Sequence, residues 1–218
     1  MFTTIIMKTK IIILIALIVL ALGISEVAAM SDAETAANDI LNKNATNTDT
    51  LIVYFSRTGE NYNVGNVEVG NTAMLASYIK EYLKCDSFEI VPVDKYPDNY
   101  DECTNIASKE KDDNARPKIV GKIDNFDSYK TVFVGYPIWW GDLPMIMYTF
   151  MEDYDFKGKT VIPFNTHEGS GDAGTYNTIK EKLSGADVNT NGLALDGKTA
   201  RSDDGKQKTV DWLKGLGY

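Results

Sequence analysis

The chain has 218 residues and a formal net charge of −9, with 31 acidic side chains against 22 Lys and Arg and a single histidine. An acidic chain of this kind has no basic face to neutralise a nucleic-acid backbone, so nucleic acid is excluded as a partner and any anionic ligand must be held by local donors. After an export-like segment at the start, about 170 residues remain, enough for one domain with a substantial core.

Lys8 and Lys10 precede fourteen residues from Ile11 to Ile24, all apolar or glycine, and Val27-Ala28-Ala29 follows as a cleavage point. This is the pattern of a secretory signal peptide over 1–29. It implies an exported, extracytoplasmic protein, in contact with a membrane only through this segment if it stays uncleaved. Residues 30–49 are rich in Asn, Thr, Asp and Ala, and read as a polar linker to a domain over 50–218. Cys85 and Cys103 are the only cysteines; an oxidising compartment permits them to pair, but two make no framework, and they are expected to be structural or free.

From Thr50 onward strand-like and helix-like segments alternate. Strands are expected at 50–55, 87–93, 131–136 and 160–165, with a weaker one around 190–195. Helices are expected at 72–84, 99–112, 143–152, 174–184 and 204–215. Asn71-Thr72 followed by Met74, Leu75, Tyr78, Ile79, Tyr82 and Leu83 is a cap and an i, i+3, i+4 stripe. Pro163 is awkward inside a central strand, because it cannot donate to the ladder. Such alternation predicts an α/β fold, a doubly wound five-stranded parallel sheet with helices on both faces.

Three of these strands end in unusual loops: Ser56-Arg57-Thr58-Gly59, Tyr136-Pro137-Ile138-Trp139-Trp140-Gly141 and Thr166-His167-Glu168-Gly169-Ser170-Gly171. Parallel strands bring all three to one edge of the sheet, where open α/β sheets bind ligands. Hydroxyls, bare backbone and a helix N-terminus suit a phosphate. Trp139 and Trp140, set between Pro137 and Gly141, suit a flat ring, with one indole acting as support. The glycines at 169 and 171 let backbone approach a ligand edge. His167 has no second metal ligand near it in sequence and is a candidate contact, with no catalytic role assigned.

With these loops in this order, the chain resembles the flavodoxin-like family over about residues 50–216. Tyr96-Pro97, Tyr100 and Asn114-Ala115-Arg116-Pro117 add to the resemblance. It implies flavin mononucleotide (FMN) as cofactor, with Ser56, Arg57, Thr58 and Gly59 at the phosphate. The Asn-Thr that continues the family's phosphate loop stands only at Asn71-Thr72, so Glu60 to Gly70 is an eleven-residue insertion. Either Asn61 and Tyr62 or Asn71 and Thr72 then complete the phosphate site. Tyr136, Pro137, Ile138, Trp139, Trp140 and Gly141 are expected beside the ring, with a backbone carbonyl of Trp140-Gly141-Asp142 accepting from it. Thr166, His167, Glu168, Gly169, Ser170 and Gly171 are expected on its pyrimidine side. The functions implied are a low-potential electron carrier, a flavoenzyme that reduces quinones with NAD(P)H, or a binding module that has lost the cofactor. The partner is correspondingly a redox protein or a small electron acceptor such as a quinone.

Overall fold

The structure, a computed structural model, describes residues 47–218. The expected export segment, and the linker as far as residue 46, lie outside the described residues. Strand β1 spans Asn47–Phe55, beginning three residues inside the stretch expected as linker. There follow β2 (Gly59–Asn61), β3 (Gly65–Val67), α1 (Asn71–Leu83), β4 (Cys85–Ile90), α2 (Tyr100–Asp112) and a short 3-10 turn at Phe126–Ser128. The second half runs β5 (Thr131–Pro137), α3 (Met145–Asp153), β6 (Thr160–His167), α4 (Thr175–Lys182), β7 (Asp187–Val188), β8 (Leu193–Asp196), α5 (Gly197–Ala200) and α6 (Asp203–Gly215).

The main sheet is parallel, in the order β4-β1-β5-β6, with β7 and β8 together filling the fifth position. Its strands are apolar on both faces because each face is covered. Leu51, Val53 and Phe55 enter one core layer with Val132, Val134, Ile146 and Phe150. Ile52 enters the other, with Phe133, Ile162 and Phe164 against Leu75 and Ile79 of α1 and Leu213 of α6. Truncating one such fully buried side chain, as in Ile52→Ala, costs about 2–5 kcal/mol. Gly135 lets β5 accept the tip of the Phe164 ring against its backbone, since an added Cβ would lie 2.2 Å from Cζ of that ring.

Pro163 does sit in a central strand, and the sheet yields around it. Thr160 N–H donates to Lys130 O on the β5 side, whereas Val161 O accepts from Asn189 N–H on the other. Odd residues of β6 therefore face the fifth position, and at Pro163 that position is interrupted: β7 pairs with Thr160 and Val161, β8 with Phe164 to His167. The missing donor coincides with the gap between the two short strands; the strand expected around 190–195 is found as β8, and β7 before it was not expected. The cysteines do not pair; Cys103 is buried in the first layer and Cys85 in the second, on opposite faces of the sheet.

Candidate functional site

The carboxyl ends of β1, β5 and β6 deliver Ser56, Pro137 and Thr166 to one rim, at the point where the strand order reverses. Ser56 is tied to the first turn of α1: its Oγ accepts from Ala73 N–H at 3.0 Å. That leaves the Ser56 hydroxyl hydrogen free to donate. Gly70, at the N-cap, packs so closely that an added Cβ would stand 2.2 Å from Ser56 Oγ and 2.4 Å from Arg57 O. Asn71 and Thr72 follow, both buried, and their N–H groups precede any intrahelical acceptor. Thr72 Oγ1 pairs with Thr166 Oγ1 at 2.8 Å, fastening the helix start to the end of β6. These groups form a nook of neutral donors at the positive end of a helix.

Arg57 does not point a free guanidinium at that nook. It donates to the carbonyls of Pro97, Asp98 and Asn99 at 2.7–3.2 Å, and to that of Glu60, clamping the turn onto the loop before α2. Gly59 turns at φ 82° against Asp98, whose Cα would lie 2.7 Å from an added Cβ. The insertion is a two-stranded hairpin of β2 and β3, paired Gly59 with Val67 and Asn61 with Gly65. Asn61 Nδ2 donates to Gly59 O at 3.1 Å, and the half-exposed Tyr62 ring lies 5.8 Å from that of Tyr100, tilted by 31°.

The second loop divides the work between its tryptophans. Trp139 stands edge-on to Phe55 and Tyr96, at centroid distances of 5.3 and 5.0 Å, and is the supporting indole. Trp140 is 56% exposed. Reciprocal bonds between Trp139 and Asp142, 2.9 and 3.0 Å, close a tight turn in which Trp140 (φ 52°) and Gly141 (φ 70°) are both left-handed. For a tryptophan this conformation costs about 1–3 kcal/mol, and α2 holds it in place. Trp140 Nε1 donates to Thr104 O at 3.0 Å, and Lys111 Nζ donates to Trp140 O at 2.7 Å. Of the carbonyls expected to face a ring, Trp140's is thus held by Lys111 and Asp142's by Trp139. Gly141's has no partner among the described residues.

In the third loop His167 Nδ1 accepts from Gly169 N–H at 3.0 Å, which leaves Nε2 as the ring's donor. Glu168 accepts from Asn63 Nδ2 of the hairpin at 3.2 Å and from Gly197 N–H at 3.2 Å.

These pieces enclose a cleft of about 320 Å³, within the size range of small-molecule sites. Of the expected site residues, Ser56, Arg57, Asn61, Tyr62, Thr72, Pro137, Ile138, Trp139, Trp140, Thr166, His167 and Glu168 line it. Asn71 lines it too, so both candidate pairs for completing the nook are present. Thr58 and Gly59 do not: Thr58 is exposed to solvent and Gly59 starts the hairpin, paired with Val67 at its base. Tyr136 is a core residue with no exposed surface, its hydroxyl paired with Thr175 Oγ1 at 2.8 Å. Gly141 closes the tight turn outside the lining, and Gly169, Ser170 and Gly171 lead away toward α4, with Gly171 O accepting from Asn165 Nδ2. The lining residues absent from the expectation are Tyr100, Cys103, Thr104 and Ala107, one face of α2. Apart from Tyr100 they are small residues at helical spacing among charged ones, which make no hydrophobic stripe in the sequence. Burial pushes the Cys103 thiol up to about 11, against a smaller opposing pull from Arg57, so it lines the cleft as a neutral apolar group. Burial also raises Tyr100.

No curated protein matches the sequence. Among solved structures, a candidate flavoprotein from Bacteroides eggerthii DSM 20697 is 29% identical with a TM-score of 0.62, covering 78% of this chain and 98% of its own. One from Bacteroides uniformis ATCC 8492 is 29% identical with a TM-score of 0.61, covering 77% and 98%. A flavoprotein from Lactobacillus acidophilus NCFM, solved in complex with FMN, shares the fold at 22% identity and a TM-score of 0.54, covering 69% and 94%. Residues 49–214 match the family described as Flavodoxin, so nearly the whole described domain is accounted for and the chain belongs to that family.

Proposed function

We infer that the cleft binds FMN and that the protein carries electrons at low potential between redox partners. The observation that carries this reading is the sharing of one cleft by the Ser56–Thr72 nook and the Trp139–Trp140 turn. The residues fit such a group. Neutral hydroxyl and N–H donors at the start of α1 suit a phosphate in a chain with no basic face, and Gly70, having no side chain, lets the helix start close against Ser56 and Arg57 so that these donors stand together. When bound, the cofactor supplies reversible electron uptake at its ring.

The chain's own residues do the rest. Ser56 donates from its hydroxyl while α1 presents the N–H groups of Asn71 and Thr72. Thr166 fixes Thr72, Trp139 is braced by Phe55 and Tyr96, and the held Trp140 turn brings an exposed indole to the rim. A negative charge added in the cleft meets little compensation: Arg57 is engaged with carbonyls, His167 is held by Gly169, and Glu168 lies at the edge. Electron uptake there is therefore costly, which is a low potential. The acidic surface suits a basic protein partner, with association weakening as salt is added.

A second reading, a flavoenzyme reducing a small acceptor such as a quinone with NAD(P)H, draws on the extension of the cleft along Tyr100, Cys103, Thr104 and Ala107 of α2. The deciding experiment is the visible spectrum of the purified protein, followed by a reductive titration. A bound flavin with a midpoint below that of free FMN, and no NADPH oxidation with quinone present, supports the carrier. Steady NADPH oxidation supports the enzyme. Colourless protein that binds no added FMN overturns both and leaves a binding module.

A further inference from the structure

The hairpin Gly59–Val67 is fastened at three points, and they surround the Ser56–Thr72 nook. At its base the Glu60 carboxylate accepts from Asn99 Nδ2 and from Tyr100 N–H, each at 3.0 Å, at the start of α2. At its tip Asn63, left-handed at φ 57°, donates from Nδ2 to Glu168 Oε2 at 3.2 Å. Next to it lies a knot at Gly197, where an added Cβ would stand 2.5 Å from Asn71 Nδ2, 2.6 Å from Glu168 Oε1 and 2.8 Å from Val64 Cγ2. The hairpin thus reaches from α2 to the third loop and the start of α5, with Asn61 and Tyr62 in the cleft lining between.

We propose that this hairpin is a strap that sets the chemical class of the ligand. It closes the outer side of the nook, so that the cleft takes a ligand ending in a phosphomonoester and rejects one whose chain continues through a second phosphate to a nucleoside. The inference rests on the FMN reading above. A terminal phosphate needs only the donors already at the helix start. A diphosphate has to leave past Asn61 and Tyr62, and that path opens only when the Glu60 and Asn63 bonds and the Gly197 knot give way.

The tip latch has a polarity that mutagenesis can reverse. Asn63→Asp keeps a residue tolerant of the left-handed backbone but sets a second carboxylate against Glu168. Glu168→Gln in the same chain restores a donor opposite that carboxylate and still offers Oε1 to Gly197 N–H. Binding of FMN, FAD and riboflavin to the full-length proteins is measured by flavin fluorescence, and opening of the strap by amide exchange over residues 60–67. The wild type should prefer FMN to FAD. Asn63→Asp should speed exchange over 60–67 and shrink that preference by about tenfold or more. The double variant should recover both. Equal binding of FMN and FAD by the wild type overturns the proposal and leaves the FMN reading intact. So does a preference unchanged in Asn63→Asp while exchange shows the strap open. If no flavin binds at all, the reading of the cleft fails, and the strap's role falls with it.

Discussion

Replacing Ser56 by Ala separates the two tasks assigned to one hydroxyl. As an acceptor, Ser56 Oγ takes the N–H of Ala73 at 3.0 Å and acts as a cap supplied from β1 to the start of α1. Losing a cap of this kind costs about 1 kcal/mol, which in a domain of this size lowers Tm by about 2–4 °C. As a donor, the same hydroxyl lines the cleft with its hydrogen free for the proposed phosphate. A hydrogen bond to a charged group is worth about 1.5–3 kcal/mol, so the Kd for FMN should rise by about 10-fold to 150-fold. Riboflavin carries no phosphate, and its Kd should move by less than about twofold in the same variant. Thermal melts of the flavin-free protein measure the first effect, and paired titrations with FMN and riboflavin the second. A normal loss of Tm with no change for FMN would make Ser56 a cap alone and move the phosphate elsewhere. Equal weakening for FMN and riboflavin would show that the variant had distorted the whole cleft.

Lys159 is buried, with Nζ donating to the carbonyls of Phe126, Asp127 and Tyr129 at 3.0, 3.3 and 2.6 Å. Lys159→Met strands the carbonyls of Asp127 and Tyr129, that of Phe126 keeping the Tyr129 N–H, and should cost about 3 kcal/mol in denaturant unfolding, with the FMN Kd unchanged. Glu110, whose carboxyl is raised by burial while its hydrogen bond from Tyr96 at 2.8 Å pulls the other way, binds its proton more tightly folded than unfolded. Its contribution to stability is therefore greatest below the ordinary carboxylate pKa and is lost as pH rises through the raised value. Glu110→Gln, which keeps an acceptor for Tyr96, should flatten that decline in a pH series of unfolding curves. Both thiols are buried and pushed up to about 11, and they sit on opposite faces of the sheet. A thiol reagent at pH 8 should label neither in the folded protein and both in denaturant, and mass analysis should find no internal disulfide.

The architecture was legible because each strand and helix carries its own period. The apolar run of β1 has to be buried on two sides, and the stripe of Leu75, Ile79 and Leu83 has to face a sheet. Tyr136 belongs both to the strand expected at 131–136 and to the loop expected beside the ring, and the period of 2 decides between them: Val132, Val134 and Tyr136 alternate along β5 and enter one core layer together. The wall formed by α2 was hidden for the opposite reason. A helix face of Cys103, Thr104 and Ala107 makes room by being small, and small residues leave no hydrophobic stripe to read.

The insertion is the case where sequence order and spatial order part. Eleven residues divide Ser56-Arg57-Thr58-Gly59 from Asn71-Thr72, and on paper either side of the gap competes to complete the nook. A hairpin with an antiparallel register returns the chain to where it left: Gly59 pairs with Val67, and Gly70 arrives against Ser56 with no space for a methyl group. The two halves of the loop are thus adjacent, Ser56 caps the helix that Asn71 and Thr72 begin, and the inserted residues Asn61 and Tyr62 stand in the same cleft as an added wall. A β-ladder can be looped out of a binding turn without dismantling it because its two ends emerge side by side; a flexible insert of equal length would have to bear the ordering cost of closing that gap each time a ligand bound.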